Sequence, residues 1–128
     1  MRLLLDTHAF LWWCEANPRL TDRVYGLLSD PETELLLSLA GAWEIVAKVQ
    51  AGKLRLPEPA ASYIPSRMAH YAINVLPVTL PHILAIEALP QLHKDPFDRL
   101  LIAQARIEAL PIVTSDPQIQ QYGVDTIW

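Results

Sequence analysis

Four acids in this chain stand where carboxylates can do chemistry: Asp6, Glu44, Asp98 and Asp116. Asp6 ends the apolar run Arg2-Leu3-Leu4-Leu5, and Asp116 follows the run Pro111–Ser115. Both positions read as the carboxyl ends of strands, which is where an open parallel sheet binds its ligands. Asp98 falls in the first turn of a helix expected over 96–109, and Glu44 on one expected over 40–51 just after a strand. Carboxylates gathered on one rim repel each other unless a cation lies among them. Oxygen donors select a hard ion, magnesium or manganese rather than zinc. Magnesium takes one or two carboxylates directly and reaches others through water, and it both screens a phosphate and acidifies the water beside it. The chain has no Gly-rich phosphate loop, so this chemistry suggests phosphodiester hydrolysis rather than nucleotide binding.

Most of the acids also have a plainer explanation. Asp95-Pro96 and Asp116-Pro117 are good helix starts, with Asp as cap and Pro in the first position, and Asp98 would favour the same helix dipole. Glu44 precedes Lys48 by four, the spacing of a solvent-exposed pair. Asp6 has no such local account: an acid ending a buried run needs a partner. Thr7 and Ser115 adjoin two of the acids and can orient ligands or water. His8 and His93 lie near Asp6 and Asp95 without metal-ligand spacing. Trp12, Trp13 and Cys14 read as core. Lys48, Lys53, Arg55, Lys94 and Arg99 read either as a basic rim around an acidic pocket or as solvated surface.

The positioning elements follow from apolar patterning. Unalternated runs at 2–5, 34–39, 73–76 and 111–114 suit strands buried on both faces, and 124–127 suits an edge strand. Helices are expected over 8–14, over 22–30 with Thr21 as cap, and over 40–51 with Ala42, Ile45, Val46 and Val49 on one face and Gly52 as a left-handed terminus. A proline-punctuated connector follows at 53–59. Further helices are expected over 60–71 (its first half weakened by Pro65), 81–89, 96–109 and 117–121. For 96–109 the inward side is read as Phe97, Leu100, Leu101, Gln104 and Ile107. Strands alternating with helices make an α/β fold: a three-layer α/β/α sandwich around a mostly parallel sheet.

The 128 residues suffice for a single domain over 1–128. Apolar residues are 52% and charged residues 19% of the chain, which argues for a packed core and against disorder. The lone cysteine, Cys14, excludes a disulfide framework and a thiolate zinc cluster. Net charge is −4, not the basic balance of a protein that grips phosphates by bulk charge. Setting four acids around a divalent ion would leave the remainder neutral. No targeting segment or spanning run of ~18 apolar residues is evident, so the cytoplasm is the expected compartment.

The stretches LLLDTHAFLWW at 3–13, WEIVAKVQAGKL at 43–54, HKDPFDRLLIAQA at 93–105 and VTSD at 113–116, followed by YGVDTIW, resemble a PIN-domain protein, in particular VapC-type toxins of type II toxin–antitoxin modules. The resemblance runs the length of the chain in order. It implies a metal-dependent ribonuclease using Mg2+ or Mn2+, with the family's acids at Asp6, Glu44, Asp98 and Asp116. It also implies a lesser role for Asp95, and a hydroxyl beside the last acid at Thr114 or Ser115. Ala40 and Gly41 stand where many relatives carry a serine. It further implies a homodimer, an RNA substrate, and a small antitoxin whose tail fills the acidic groove. Two other functions fit the residues: a phosphoryl-transfer or receiver domain with Asp6 as phosphoacceptor, and a non-catalytic binding partner whose acids only cap helices.

Overall fold

The computed structural model describes residues 1–128. Its centre is strand β1 (Arg2–Leu5), whose Leu3, Leu4 and Leu5 are almost wholly buried. β1 pairs in parallel with β2 (Glu34–Ser38), setting Leu3, Leu4 and Leu5 beside Leu35, Leu36 and Leu37. On its other side it pairs in parallel with β4 (Ile112–Val113). β3 (Ile73–Leu76) extends the sheet beyond β2, and β5 (Thr126–Ile127) beyond β4, giving five parallel strands in the order β3-β2-β1-β4-β5. A parallel sheet needs a cover on each face. The side-chain period of two delivers this from the triple-leucine runs: Leu3, Leu5, Leu35 and Leu37 enter one core, and Leu4, Leu36 and Ile112 the other.

The first core is roofed by α1 (Thr7–Cys14), α2 (Asp22–Ser29), α3 (Leu39–Gln50) and α4 (Ala60–His70), through Phe10, Val24, Ile45 and Ile64. The second lies under α6 (Pro96–Glu108) and α7 (Pro117–Gln120), through Leu101, Ile102, Ala105 and Ile119. A short α5 (Leu80–Ala85) precedes α6. The result is the expected three-layer α/β/α sandwich. Strand order reverses between β1 and β4, so the loops that follow these two strands flank the crevice where such sheets bind ligands.

Caps are local and legible. Thr21 accepts from the Val24 amide, and Asp95 from those of Phe97 and Asp98. Gly52 takes φ +73° just past α3, the left-handed geometry glycine adopts freely.

Several details depart from the patterning. α4 runs unbroken through Pro65; that residue and Ala61, whose carbonyl loses its i+4 donor, are both exposed, so water can serve the carbonyl. The helix expected over 81–89 stops at Ala85 and tightens into a 3-10 turn over 86–88. β4 and β5 are two residues each. On α3, Val46 faces out and Glu44 faces in; on α6, Ile107 is exposed and Ile102 is wholly buried.

Buried polar groups explain the rotation of α3 and α6. Gln104, fully buried, accepts from the Ser38 hydroxyl and donates to the Pro77 carbonyl, while Ser38 also caps α3 through the Ala40 amide. An unpaired buried amide would cost about 1–3 kcal/mol. Gln104 therefore fixes which side of α6 faces the sheet, and ties it to the start of α3. The inward face then contains Ile102 and not Ile107. Ile102→Ala is expected to destabilise by about 2–4 kcal/mol in urea unfolding, and Ile107→Ala to stay within about 0.5 kcal/mol of wild type.

Candidate functional site

Five carboxylates line one small pocket at the crevice: Asp6, Glu44, Asp95, Asp98 and Asp116. Thr7, His8, Gly41, Lys48 and Phe97 complete most of its wall, and its volume is about 60 Å³. That is room for ions and a few waters, not for a nucleotide.

The acids come from four helix starts and faces, with Asp95 and Asp98 sharing α6, and each is held by a local bond. Asp6, buried, caps α1 through the Ala9 amide at 2.6 Å, and the nearby Thr114 hydroxyl favours its charged form. Thr114 Oγ1 in turn accepts from the Asp116 amide at 3.0 Å, so one buried hydroxyl links the acids after β1 and β4. Asp116 caps α7 through the Gln118 amide at 2.9 Å. Asp95 caps α6, which swings Asp98 in the same turn toward the pocket. Glu44 is held by both oxygens: Thr7 donates at 2.6 Å and Lys48 at 2.6 Å. Gly41 lets the start of α3 lie close to β2: an added Cβ would stand 3.2 Å from Leu37 Cδ1, with Thr7 Oγ1 of α1 next at 3.6 Å.

Helix capping and pocket lining thus coexist in the same side chains. The Glu44–Lys48 pair forms at the expected spacing, yet Glu44 is buried rather than solvent-exposed. Ser115 is exposed and outside the pocket, whereas Thr114 is wholly buried. Arg99 does not contribute to a basic rim; it turns inward to the Pro90 carbonyl and the Tyr122 hydroxyl. His93 pairs with Asp98 at 3.0 Å rather than with Asp95, and its other nitrogen meets the Tyr122 hydroxyl at 2.7 Å. The chain Asp98–His93–Tyr122–Arg99 was not foreseen from the sequence. A tyrosine 24 positions beyond its acid gives no periodic signal.

The acids sense one another. Burial is the main force raising Asp98 to about 6, opposed by His93 and reinforced by Asp95, Glu44 and Asp116. Burial likewise raises Asp6, against the pull of Thr114, the Ala9 amide and His8, with Asp116 adding repulsion. Burial lowers Lys48, but Glu44 and the neighbouring acids more than restore it, so it stays firmly protonated. Lys48 is the pocket's own counter-charge. No three of the acids form a ready-made metal shell. The donors are all hard oxygens, which fits a cation held directly by one or two carboxylates and by the rest through water.

Comparison with known proteins places this arrangement in context. The model of the PIN domain matches residues 3–125. Ribonuclease VapC16 of Mycobacterium tuberculosis is 39% identical over 70 residues, 52% of this chain and 50% of that protein, so the match spans about half the length of that curated relative. The fold is shared with VapBC2 from Rickettsia felis bound to a DNA fragment from its promoter (TM-score 0.73, 13% identity, 99% of this chain and 98% of that one). It is also shared with VapBC-1 from nontypeable Haemophilus influenzae (0.66, 16%, 99% and 97%) and FitAcB from Neisseria gonorrhoeae (0.62, 18%, 98% and 96%). No helix is long and apolar enough to cross a membrane.

The raised Asp98 carries a stability consequence. Its folded value lies above the ordinary 3.8, so the cost of charging it is absent below about pH 4 and complete above about pH 6. In chelator at pH 7.5, Asp98→Asn is expected to raise the melting temperature by about 5 °C. At pH 4 the two proteins should melt together. A mutant that melts lower at pH 7.5 would mean that the His93 bond outweighs the repulsion.

Proposed function

The chain belongs to the PIN-domain family, and from that we propose that it is a divalent-metal-dependent endoribonuclease of the VapC type, the toxin of a toxin–antitoxin pair. The observation that carries the reading is the gathering of five carboxylates in one pocket at the sheet's switch point. The likeness to a ribonuclease over half its length supports the reaction class. It also favours hydrolysis over phosphoryl transfer to Asp6.

Asp6 and Asp98 are the residues to hold the cation most directly, Mg2+ or Mn2+ by their oxygen chemistry. When bound, such a cation screens the phosphodiester's charge and makes adjacent water more acidic. Glu44 and Asp116 complete the acidic site. Only one Asp116 oxygen is engaged by the α7 cap, so the other is available to accept a proton from the attacking water. Thr114 and Thr7 are positioning residues, the first for Asp6 and Asp116 and the second for Glu44. Asp95 orients Asp98 by capping its helix, and Lys48 holds Glu44 and adds positive charge where a phosphate would lie.

The same electrostatics suit an antitoxin. An acidic pocket attracts a cationic side chain, and the Lys48–Glu44 bond shows the geometry such a group can adopt. A toxin–antitoxin complex from Klebsiella pneumoniae contains a chain of the same fold (TM-score 0.62, 19% identity). Exposed Leu80, Ile83 and Leu84 on α5 offer apolar surface for a second copy, which supports a homodimer.

The test is cleavage of a mixed, structured RNA by the purified chain in magnesium, manganese or chelator. Cutting should need the metal and fall about 10²-fold or more in Asp6→Asn and in Asp98→Asn, both folded by circular dichroism. Equal cutting in chelator, or in both mutants, would overturn the mechanism.

A further inference from the structure

Beside the acid pocket lies a second cavity of about 430 Å³, with Thr7, His8 and Lys48 common to both walls. Its size falls in the usual ligand range of roughly 300–1,000 Å³, while the acid pocket is far too small for a nucleotide. Its charge is opposite. Lys48, Lys53, Arg55 and Arg67 line it, against one acid, Glu15. Four of the chain's ten cations therefore face this groove although the whole protein is acidic.

The groove is built by the connector between α3 and α4. Along Lys53-Leu54-Arg55-Leu56 the leucines pack against the first core and the cations are exposed. Arg67 has Glu58 at 3.9 Å, whereas Lys53 and Arg55 make no ion pair. Trp12 of α1 also lines it, its ring packed beside His8 and Trp128 with Arg19 over it at 5.4 Å. Unpaired cations tracking a groove, with an aromatic ring set among them, are the features that hold single-stranded nucleic acid: charge for the backbone, a ring face for a base.

We propose that this groove binds the single-stranded RNA nucleotides flanking the scissile phosphate, with Lys53 and Arg55 on the backbone and Trp12 against a base. The proposal rests on the nuclease reading for its scissile phosphate. Lys48, at the junction, then lies between the phosphate being cut and its neighbour. Bulk charge gave no hint of such a groove, because the acids of the adjoining pocket cancel its cations in the total.

The test reads binding apart from cleavage. A labelled, short single-stranded RNA is titrated in chelator, by fluorescence anisotropy, over a series of salt concentrations. The Lys53→Ala/Arg55→Ala double variant should bind about tenfold or more weakly at low salt. Its slope of log affinity against log salt should be shallower by about 1.4, two contacts at roughly 0.7 each. Trp12→Leu should lose affinity several-fold with the slope unchanged, because stacking releases no counterions. Arg23→Ala, an exposed cation on α2 outside the groove, serves as the control and should match wild type. Melting temperatures with and without Mn2+ report that each variant is folded and that its acid pocket still responds. Wild-type affinity and slope in the double variant would overturn the proposal and leave the groove to a protein partner, with the nuclease reading untouched. Weakened binding in the double variant, together with no metal-dependent cutting by wild type, would uphold the groove and overturn the nuclease instead.

Discussion

Mutual repulsion among clustered, buried and half-buried carboxylates is the constraint around which the crevice is organised. Five acids face a space of about 60 Å³, and burial alone already opposes the charge of Asp6 and Asp98. Nothing in a hydrophobic core would tolerate that, so each acid is fastened by a separate local device. Three cap helices, one is clamped between a threonine and a lysine, and one leans on a histidine. The helix caps do double service, since the amide that steadies a carboxylate also starts the helix that positions its neighbour. Folding is thereby coupled to the assembly of the site.

A second set of polar contacts keeps the two helical layers in register across the sheet. Gln104 reaches from α6 to Ser38, the cap of α3, so the helix bearing Asp98 and the helix bearing Glu44 share one buried hydrogen bond. Beyond it, His82 accepts from the Thr79 amide and meets Glu108, closing α5 onto α6. His93 and Tyr122 do the same near the pocket, with Arg99 turned inward to complete the set. These groups need one another to remain buried, which makes the relative placement of the acids a property of the core rather than of the loops.

Charge is segregated over a short distance. The acid pocket and the basic groove share part of a wall, and Lys48 belongs to both. An anionic polymer would be held by the second and presented to the first. The total charge of −4 conceals this, because the total carries no information about position.

Much of the fold was legible because its signals are local. Unalternated leucine runs marked the buried strands, Thr21 and Asp95 marked helix starts, and Gly52 marked a helix end; each depends on residues within a few positions of itself. The acids were legible for a related reason: Asp6 and Asp116 end strands, and strand ends in a parallel sheet share one rim. The rotation of the helices was not legible. Ile107 and Ile102 are equally apolar, and only the tie from Gln104 to Ser38, 66 positions away, decides which one is buried. Arg99 as an interior group, His93 as a bridge from Asp98 to Tyr122, and the basic groove between α1 and the connector all depend on contacts between distant segments. Sequence by itself determined the elements, their alternation and the acids at their ends, since backbone preference and apolar spacing act over a few residues. Tertiary structure alone decided which side chains meet, because burial of a polar group is permitted only where another part of the chain supplies its partner.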